Sequence, residues 1–324
     1  DAFAAAAQHA MAGGLDGAGA ACHKRGMELW VIVTILAAGV QTLRFSLQKR
    51  LKRLGLSTGG ATFSRFLFAA PLALGGLGLL MALQGAPFPA LSARFWVFAV
   101  LGGVTQIAAT FCTVALFSER SFAVGIAFTK TETIQLAAFS ALVLGEGVSA
   151  PGLAAIAVGA AGVVLLSRPA QGWRIGGVLN RATLLGIAAG ALFGLSALGY
   201  RGATLQIANP DALFRATAAL AMVTVFQSLT MALWLRWREP GEMRRVLRSW
   251  RATLPVGVTG VLGSLGWFTA FALQNAAYVR AVGQIELLFS VVISALWFRE
   301  TPRRIEALGI ALLTASILAI VLLT

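Results

Sequence analysis

The sequence predicts an all-α membrane protein, ten transmembrane helices built as two inverted five-helix repeats. Three observations carry this expectation. Hydrophobic residues make up 58% of the chain and charged residues 12%, where soluble domains carry about a quarter charged. Apolar stretches of about twenty residues recur along the chain, each long enough to cross the hydrocarbon core as a helix. Most lack the polar face that a soluble core helix keeps. Similar segments also return about 154 residues apart.

Taken in order, the spans fall near residues 28–47, 61–83, 95–117, 122–145, 151–167, 182–200, 212–235, 253–273, 277–298 and 303–323. Pro and Gly punctuate several of the boundaries. The connections are short, and the longest polar links, 167–181 and 236–251, leave no room for a soluble domain. Residues 1–26 are Ala/Gly-rich and carry no fold pattern. They have neither the basic start nor the compact apolar run of a cleavable signal, and are expected to be a disordered or non-native tail. Two units follow, 27–170 and 171–324, of about five spans each.

The repeat is legible residue by residue. "AFSALVLGE" (138–146) answers "VISALWFRE" (292–300), which places Glu146 against Glu300 and Glu132 against Glu286, both pairs 154 apart. "LAAG" (36–39) answers "IAAG" (187–190), and "FSRF…MAL" (63–83) answers "LFRA…MAL" (213–233), which sets Arg65 against Arg215. An odd number of spans per unit forces the second copy to enter the membrane in the opposite sense. Secondary transporters built this way hold their binding site near the midplane, at the interface of the repeats. Each unit ends in an apolar helix closing on "LVLGE" or "LWFRE", then a short loop and a Gly/Ala-rich last helix. That pattern resembles the EamA repeat of the drug/metabolite transporter (DMT) superfamily, in both halves and over nearly all of the chain after Met27. The resemblance implies a ten-helix carrier around a central cavity, from a family whose characterised members move amino acids, nucleotide sugars, sugar phosphates or small metabolites. The expected cargo is a small metabolite such as an amino acid or amine.

Charge inside the bilayer marks the candidate site. A charged side chain at the bilayer centre costs about 2.5–3.5 kcal/mol on insertion scales, so such residues face a bundle interior or a wet cavity. Lys130 and Glu132 lie in the fourth span, Gln284 and Glu286 in the ninth. On a continuous helix Lys130 and Glu132 stand about 200° apart, so one of them at most faces a given cavity. Gln135 shares the face of Glu132, and Thr133 that of Lys130. Glu132 and Glu286, at equivalent positions, are expected in similar environments across the midline. They could bind an amino group or carry a proton, since desolvation raises a carboxyl pKa. Alternatively Lys130 or Arg280 neutralises a glutamate and locks the bundle, or such an ion pair acts as a gate. Gln106 and Thr110 on the third span line a cavity or bond a neighbour. Trp267 and Tyr278 are an aromatic wall or interface anchors. Arg44 is read as snorkelling from a span end. Glu146 and Glu300 are read as helix-dipole residues before the caps Ser149–Pro151 and Thr301–Pro302. The substrate-path residues are therefore expected to be Glu132, Glu286, Lys130, Gln135, Gln284 and Gln106.

The formal net charge of +14 comes from Arg and Lys in short loops. Positive-inside placement explains it, and nucleic acid is not the expected partner. The bias puts the odd-numbered loops in the cytoplasm and both termini outside, whereas ten-helix relatives of the family are drawn with cytoplasmic termini. His9 and His23 lie in the tail and Asp1, Asp16 and Asp211 outside the spans, so an intramembrane enzyme lacks its usual dyads. Cys22 and Cys112 form neither a disulfide framework nor a metal motif. There is no GxxxxGK loop for ATP and no filter motif for a channel. No cofactor is expected. The partners are a small-molecule substrate and the lipid bilayer. Both a homodimer and proton coupling are compatible with such a carrier. The resulting expectation is a multi-pass secondary transporter or facilitator of the plasma membrane, as in a bacterial inner membrane. A non-transporting scaffold or assembly factor is the alternative.

Overall fold

The computed structural model describes residues 29–51, 54–116, 129–166, 181–289 and 304–323. Its described residues are helical, with no strand among them. Among the described residues, six helices are long and apolar enough to cross a bilayer. They are α1 (Leu29–Leu51), the span Thr58–Gln84, α4 (Ala93–Leu116), a helix over Thr183–Leu205, one over Ala212–Arg238 and one over Trp250–Leu273. The Thr58–Gln84 span is two helices, α2 (Thr58–Leu67) and α3 (Ala69–Gln84), parted at Phe68. Pro71 accounts for the break, because it has no N–H for the Leu67 carbonyl and its ring crowds that oxygen.

Shorter apolar helices complete the bundle: α5 (Glu132–Val143), α6 (Ala150–Leu166) and, after the long helices, α12 (Arg304–Leu323). α7 covers Arg181–Leu205 and α8 covers Ala212–Arg238. A surface turn of helix, α9 (Glu242–Arg248), leads into α10 (Trp250–Leu273). α11 (Ala276–Gly283) follows.

Side-chain caps fix where several helices begin. Asp211 accepts from Leu213 N at 2.9 Å, Asn275 from Ala277 N at 2.8 Å and Ser92 from Phe95 N at 3.1 Å. Ser149 accepts from Gly152 N at 3.2 Å, which is the cap expected there; the equivalent cap at Thr301 lies outside the described residues. Each such bond satisfies an orphan donor of the first turn.

The alternation of the spans shows in how their ends meet. On one face of the membrane the loop before α2 docks on the loop after α8. Ser57 bonds Glu239, Ser57 N donates to Glu242 at 2.7 Å, and Arg245 reaches Gly55 O at 2.7 Å. On the other face the loop after α5 meets the ends of α7 and α10. We call these the odd-loop and even-loop faces. Helices pack closely where glycines meet. A Cβ placed on Gly199 of α7 would lie 2.6 Å from Gly102 N of α4, and one on Gly162 of α6 would lie 2.8 Å from Gly309 O of α12. Small residues at crossings are how membrane helices gain contact, because lipid supplies no hydrophobic drive between them.

Two spans differ from the expected continuous helices. In the fourth, the chain is helical at Thr129, turns at Lys130 and Thr131, and resumes as α5 at Glu132. In the ninth, α11 stops at Gly283, the chain turns at Gln284 and Ile285, and helix resumes at Glu286. Both turns stand 154 residues apart. Neither contains proline. Gly190 of α7 makes room for the first, since a Cβ there would sit 2.9 Å from Thr129 O and 3.0 Å from Thr131 Oγ1.

Candidate functional site

Both helix breaks face a chamber of about 320 Å³. It is lined by the last turns of α1 (Gln41, Thr42, Phe45, Lys49), by Thr113, by Phe193 and Trp267, and by both break regions. Lys130 and Glu132 both line it. This overturns the expectation that only one of them faces a given cavity. The turn at 130–131 removes the 100° per residue that a continuous helix would impose. Glu132 then falls in the first turn of α5, where the helix dipole favours a carboxylate. Half-helix ends pointing at a midplane cavity are a recurrent device for holding charged ligands.

The charged groups are wired across the breaks. Lys130 pairs with Glu286, and Arg280 pairs with Glu132. All four side chains are 10–15% exposed. Gln284 donates to Thr133, so a third bond joins the same two segments. Gln41 of α1 spans the site, donating to Glu286 Oε2 at 3.0 Å and accepting from Trp267 Nε1 at 3.1 Å. The Arg280 guanidinium lies 4.7 Å from the centre of the Trp267 ring and 5.9 Å from that of Phe193. The glutamates thus combine two roles set apart in the sequence: they line the cavity and they are ion-paired.

Behind Gln41, Phe193, Trp267 and Arg280 lies a second, smaller space of about 20 Å³. Gln106 lines this one, with Arg65, Ser196 and Tyr200. Its amide oxygen, turned toward Arg65, accepts from Nη1 at 2.6 Å and Nη2 at 3.0 Å while its NH2 donates to Ser196 Oγ at 2.6 Å. The opposite orientation would set the NH2 against a guanidinium, which only donates. Arg65 also donates to Thr110 Oγ1 at 3.0 Å.

Gln135 is not brought to either space. Its amide turns back along α5 toward Thr131 Oγ1, at 3.3 Å. Tyr278 is not part of the aromatic wall either; its hydroxyl lies 3.2 Å from both Ser149 N and Ser149 Oγ at the even-loop face. Arg44 does not snorkel. It is 2% exposed, and its Nη1 donates to Gln48 at 3.0 Å. Gln41, Arg44 and Gln48 share one face of α1, which turns inward rather than to lipid. Arg65 and Arg44 are the interior residues that reading the sequence missed; the i, i+3, i+7 stripe of polar residues was the signal for Arg44.

The larger chamber reaches the odd-loop ends of α1 and α4, at Lys49 and Thr113. The even-loop end is tied shut. Arg201 of α7 makes a fork to Glu146, with Nε at 3.1 Å and Nη2 at 2.8 Å from Oε1. Its Nη1 reaches Phe271 O, at the end of α10, at 2.6 Å, and Asn275 donates to Glu146 O at 3.3 Å. Glu146 is therefore not a helix-dipole residue. Its partner is a cation from a different helix, which the fork-shaped guanidinium holds at two points. Glu300 lies outside the described residues.

Residues 180–322 match the model of the EamA-like transporter family. That match covers 143 of the 324 residues, a little under half of the chain. The matched family is part of the DMT superfamily, and its members are membrane transporters. A solved crystal structure shares the fold with a TM-score of 0.67 at 16% identity, over 92% of this chain and 96% of that one. No curated protein matches. The apolar helices and the EamA match mark the chain as a multi-pass membrane protein. The EamA segment contributes Arg280, Gln284, Glu286 and Trp267 to the chamber; Lys130, Glu132 and Gln41 precede it in the sequence.

Proposed function

We propose that the protein is a secondary transporter or facilitator that moves a small metabolite across the plasma membrane by alternating access, its ten spans forming two inverted five-helix repeats. The observation that carries this reading is the crossed pairing of Lys130 with Glu286 and of Arg280 with Glu132. These charges lie at or within one turn of the two helix breaks, in a cavity that reaches the odd-loop face and is tied off at the other. The helix contacts support the pseudo-two-fold. α4 lies against α7 as α1 lies against α10, and the counterparts α3 with α8 and α6 with α12 also meet. Rocking one unit against the other would exchange the open and closed faces.

In proteoliposomes screened with amino acids, amines and organic acids, Glu132→Gln and Glu286→Gln are each expected to lower flux of the accepted substrate at least about tenfold. Cutting a buried charge pair costs 2 kcal/mol or more, and 1.4 kcal/mol is a factor of ten. Flux driven by an imposed pH gradient in the wild type, and lost in these variants, assigns them the proton as well. Wild-type flux in both variants removes the proposal.

The tie at the even-loop face gives a second prediction. In a Cys22→Ala, Cys112→Ala background, Ser264→Cys places the only thiol on the smaller space. A membrane-impermeant thiol reagent applied at the even-loop face should label it about tenfold faster when Arg201→Gln is added. A charge-assisted hydrogen bond is worth about 1.5–3 kcal/mol, enough to shift the population of the open state by that factor. Unchanged labelling shows that Arg201 does not hold that face closed.

A further inference from the structure

The sequence left open whether the glutamates wait for a cationic substrate. The charges around the two spaces point the other way. Among the described residues, their linings carry Lys49, Arg65, Lys130 and Arg280 against Glu132 and Glu286. Both glutamates already hold cations, Glu286 with Lys130 and Glu132 with Arg280. Arg65 is 6% exposed. Its hydrogen bonds go to neutral groups, the Thr110 hydroxyl and the Gln106 amide oxygen. Arg44 packs beside it, since a Cβ on Gly260 would meet the side chains of both, Arg65 Cγ at 3.3 Å and Arg44 Cδ at 3.8 Å. Arg44 is equally buried and bonds the Gln48 amide. Neither guanidinium has a carboxylate partner among the described residues. Arg44, Arg65 and Arg280 stand within electrostatic reach of one another.

Buried charge in a membrane interior without a counter-ion is costly, and it is kept where function uses it. A cation entering this site would meet two satisfied carboxylates and a surplus of buried guanidinium. An anion would supply the missing charge. Resting on the transport reading above, we propose that the substrate is a small organic anion, its oxyacid group drawn to Arg280 and Arg65 and its apolar body held by Trp267 and Phe193 in the larger chamber. Arg280 lines both spaces, and its guanidinium lies over the Trp267 and Phe193 rings. A guanidinium fork matches the two oxygens of a carboxylate or phosphate. The chamber, about 320 Å³, is at the small end of ligand pockets, which run from about 300 to 1,000 Å³. That size suits a metabolite rather than a lipid.

The test uses four probes with one body and different heads: 3-phenylpropionate, phenyl phosphate, 2-phenylethylamine and 3-phenylpropanol. Each is titrated against the purified full chain, followed by thermal stabilisation and calorimetry. One of the two oxyacids is expected to bind at least about tenfold more tightly than the amine and the alcohol; which one tells carboxylate from phosphate. Arg65→Gln should weaken that oxyacid about tenfold and leave the alcohol unchanged, while Arg65→Lys retains most of the binding. The proposal falls if the amine binds as well as either oxyacid, or if neither oxyacid binds at millimolar concentration. It falls also if Arg65→Gln and Arg44→Gln both bind the oxyacid as the wild type does. The wild-type series decides even where a variant fails to fold. Flux of the preferred probe into proteoliposomes separates the two readings. Oxyacid binding without flux removes the transport reading and keeps this one; flux of the amine alone keeps transport and removes this one.

Discussion

Glu286→Leu is expected to lower stability by about 3–5 kcal/mol, because it leaves the Lys130 ammonium buried without its carboxylate. Lys130→Met should cost about the same for the opposite reason. The informative variant is the double one. Lys130→Met with Glu286→Leu removes both charges together and is expected to fold within about 1 kcal/mol of the wild type, since a buried ion pair replaced by apolar side chains of similar volume is often neutral or better. Its transport should nevertheless be lost. The crossed wiring makes a further demand. Lys130→Met with Glu132→Leu deletes two neighbours on one span, but strands Glu286 and Arg280 at once. It should be less stable than either single variant, because it breaks both pairs and restores neither. Reversible unfolding in mixed micelles measures all of these. Rescue in the same-span double, and none in the crossed one, would mean that the pairs run along each span and not between them.

Gly199→Ala is the second large effect. The added methyl would lie 2.6 Å from Gly102 N, 2.7 Å from Gly102 Cα and 2.7 Å from Phe98 O. All three are backbone atoms, so no rotamer change relieves the clash and α7 must move away from α4. Overpacking of this kind costs about 1–3 kcal/mol, and more where nothing yields. Gly78→Ala is the matched control, since a Cβ there meets nothing within 4 Å. It should be neutral or slightly stabilising, because alanine is the better helix former by about 1 kcal/mol. The two variants compared by thermal unfolding in detergent should separate widely. Equal melting would show that the seam between α4 and α7 is looser than backbone contact.

Much of the architecture was legible because lipid imposes so few solutions. Length, apolarity and loop charge located the spans, and the 154-residue offset located Glu132 and Glu286 together. Trp267 and Gln106 were visible as polar or aromatic interruptions. The helix breaks were not. The ninth has Gly283 beside it, but "FTKTET" holds neither glycine nor proline, and the turn at Lys130 depends on Gly190 of a span distant in sequence. Treating the fourth span as continuous then set Lys130 and Glu132 on opposite faces. Arg44 was misplaced for a related reason. Its distance from the helix end is compatible with snorkelling, and only the neighbours contributed by α2 and α10 show that its side of α1 faces inward. Glu146 was read as a helix-dipole residue because it stands just ahead of the cap of the next helix; its fork with Arg201 exists only once the bundle is assembled.

The seams between α4 and α7 and between α1 and α10 also constrain biosynthesis. α4 has left the ribosome long before α7 is made, and α1 must wait until Leu273 has emerged to find its neighbour. Over that interval Lys130 and Glu132 enter the bilayer while Glu286 and Arg280 are still untranslated. The nascent chain must therefore shelter an unmatched lysine and glutamate at the insertion machinery for about 150 residues of synthesis. A polypeptide truncated before α10 would offer itself to membrane proteases rather than settle as a half-carrier.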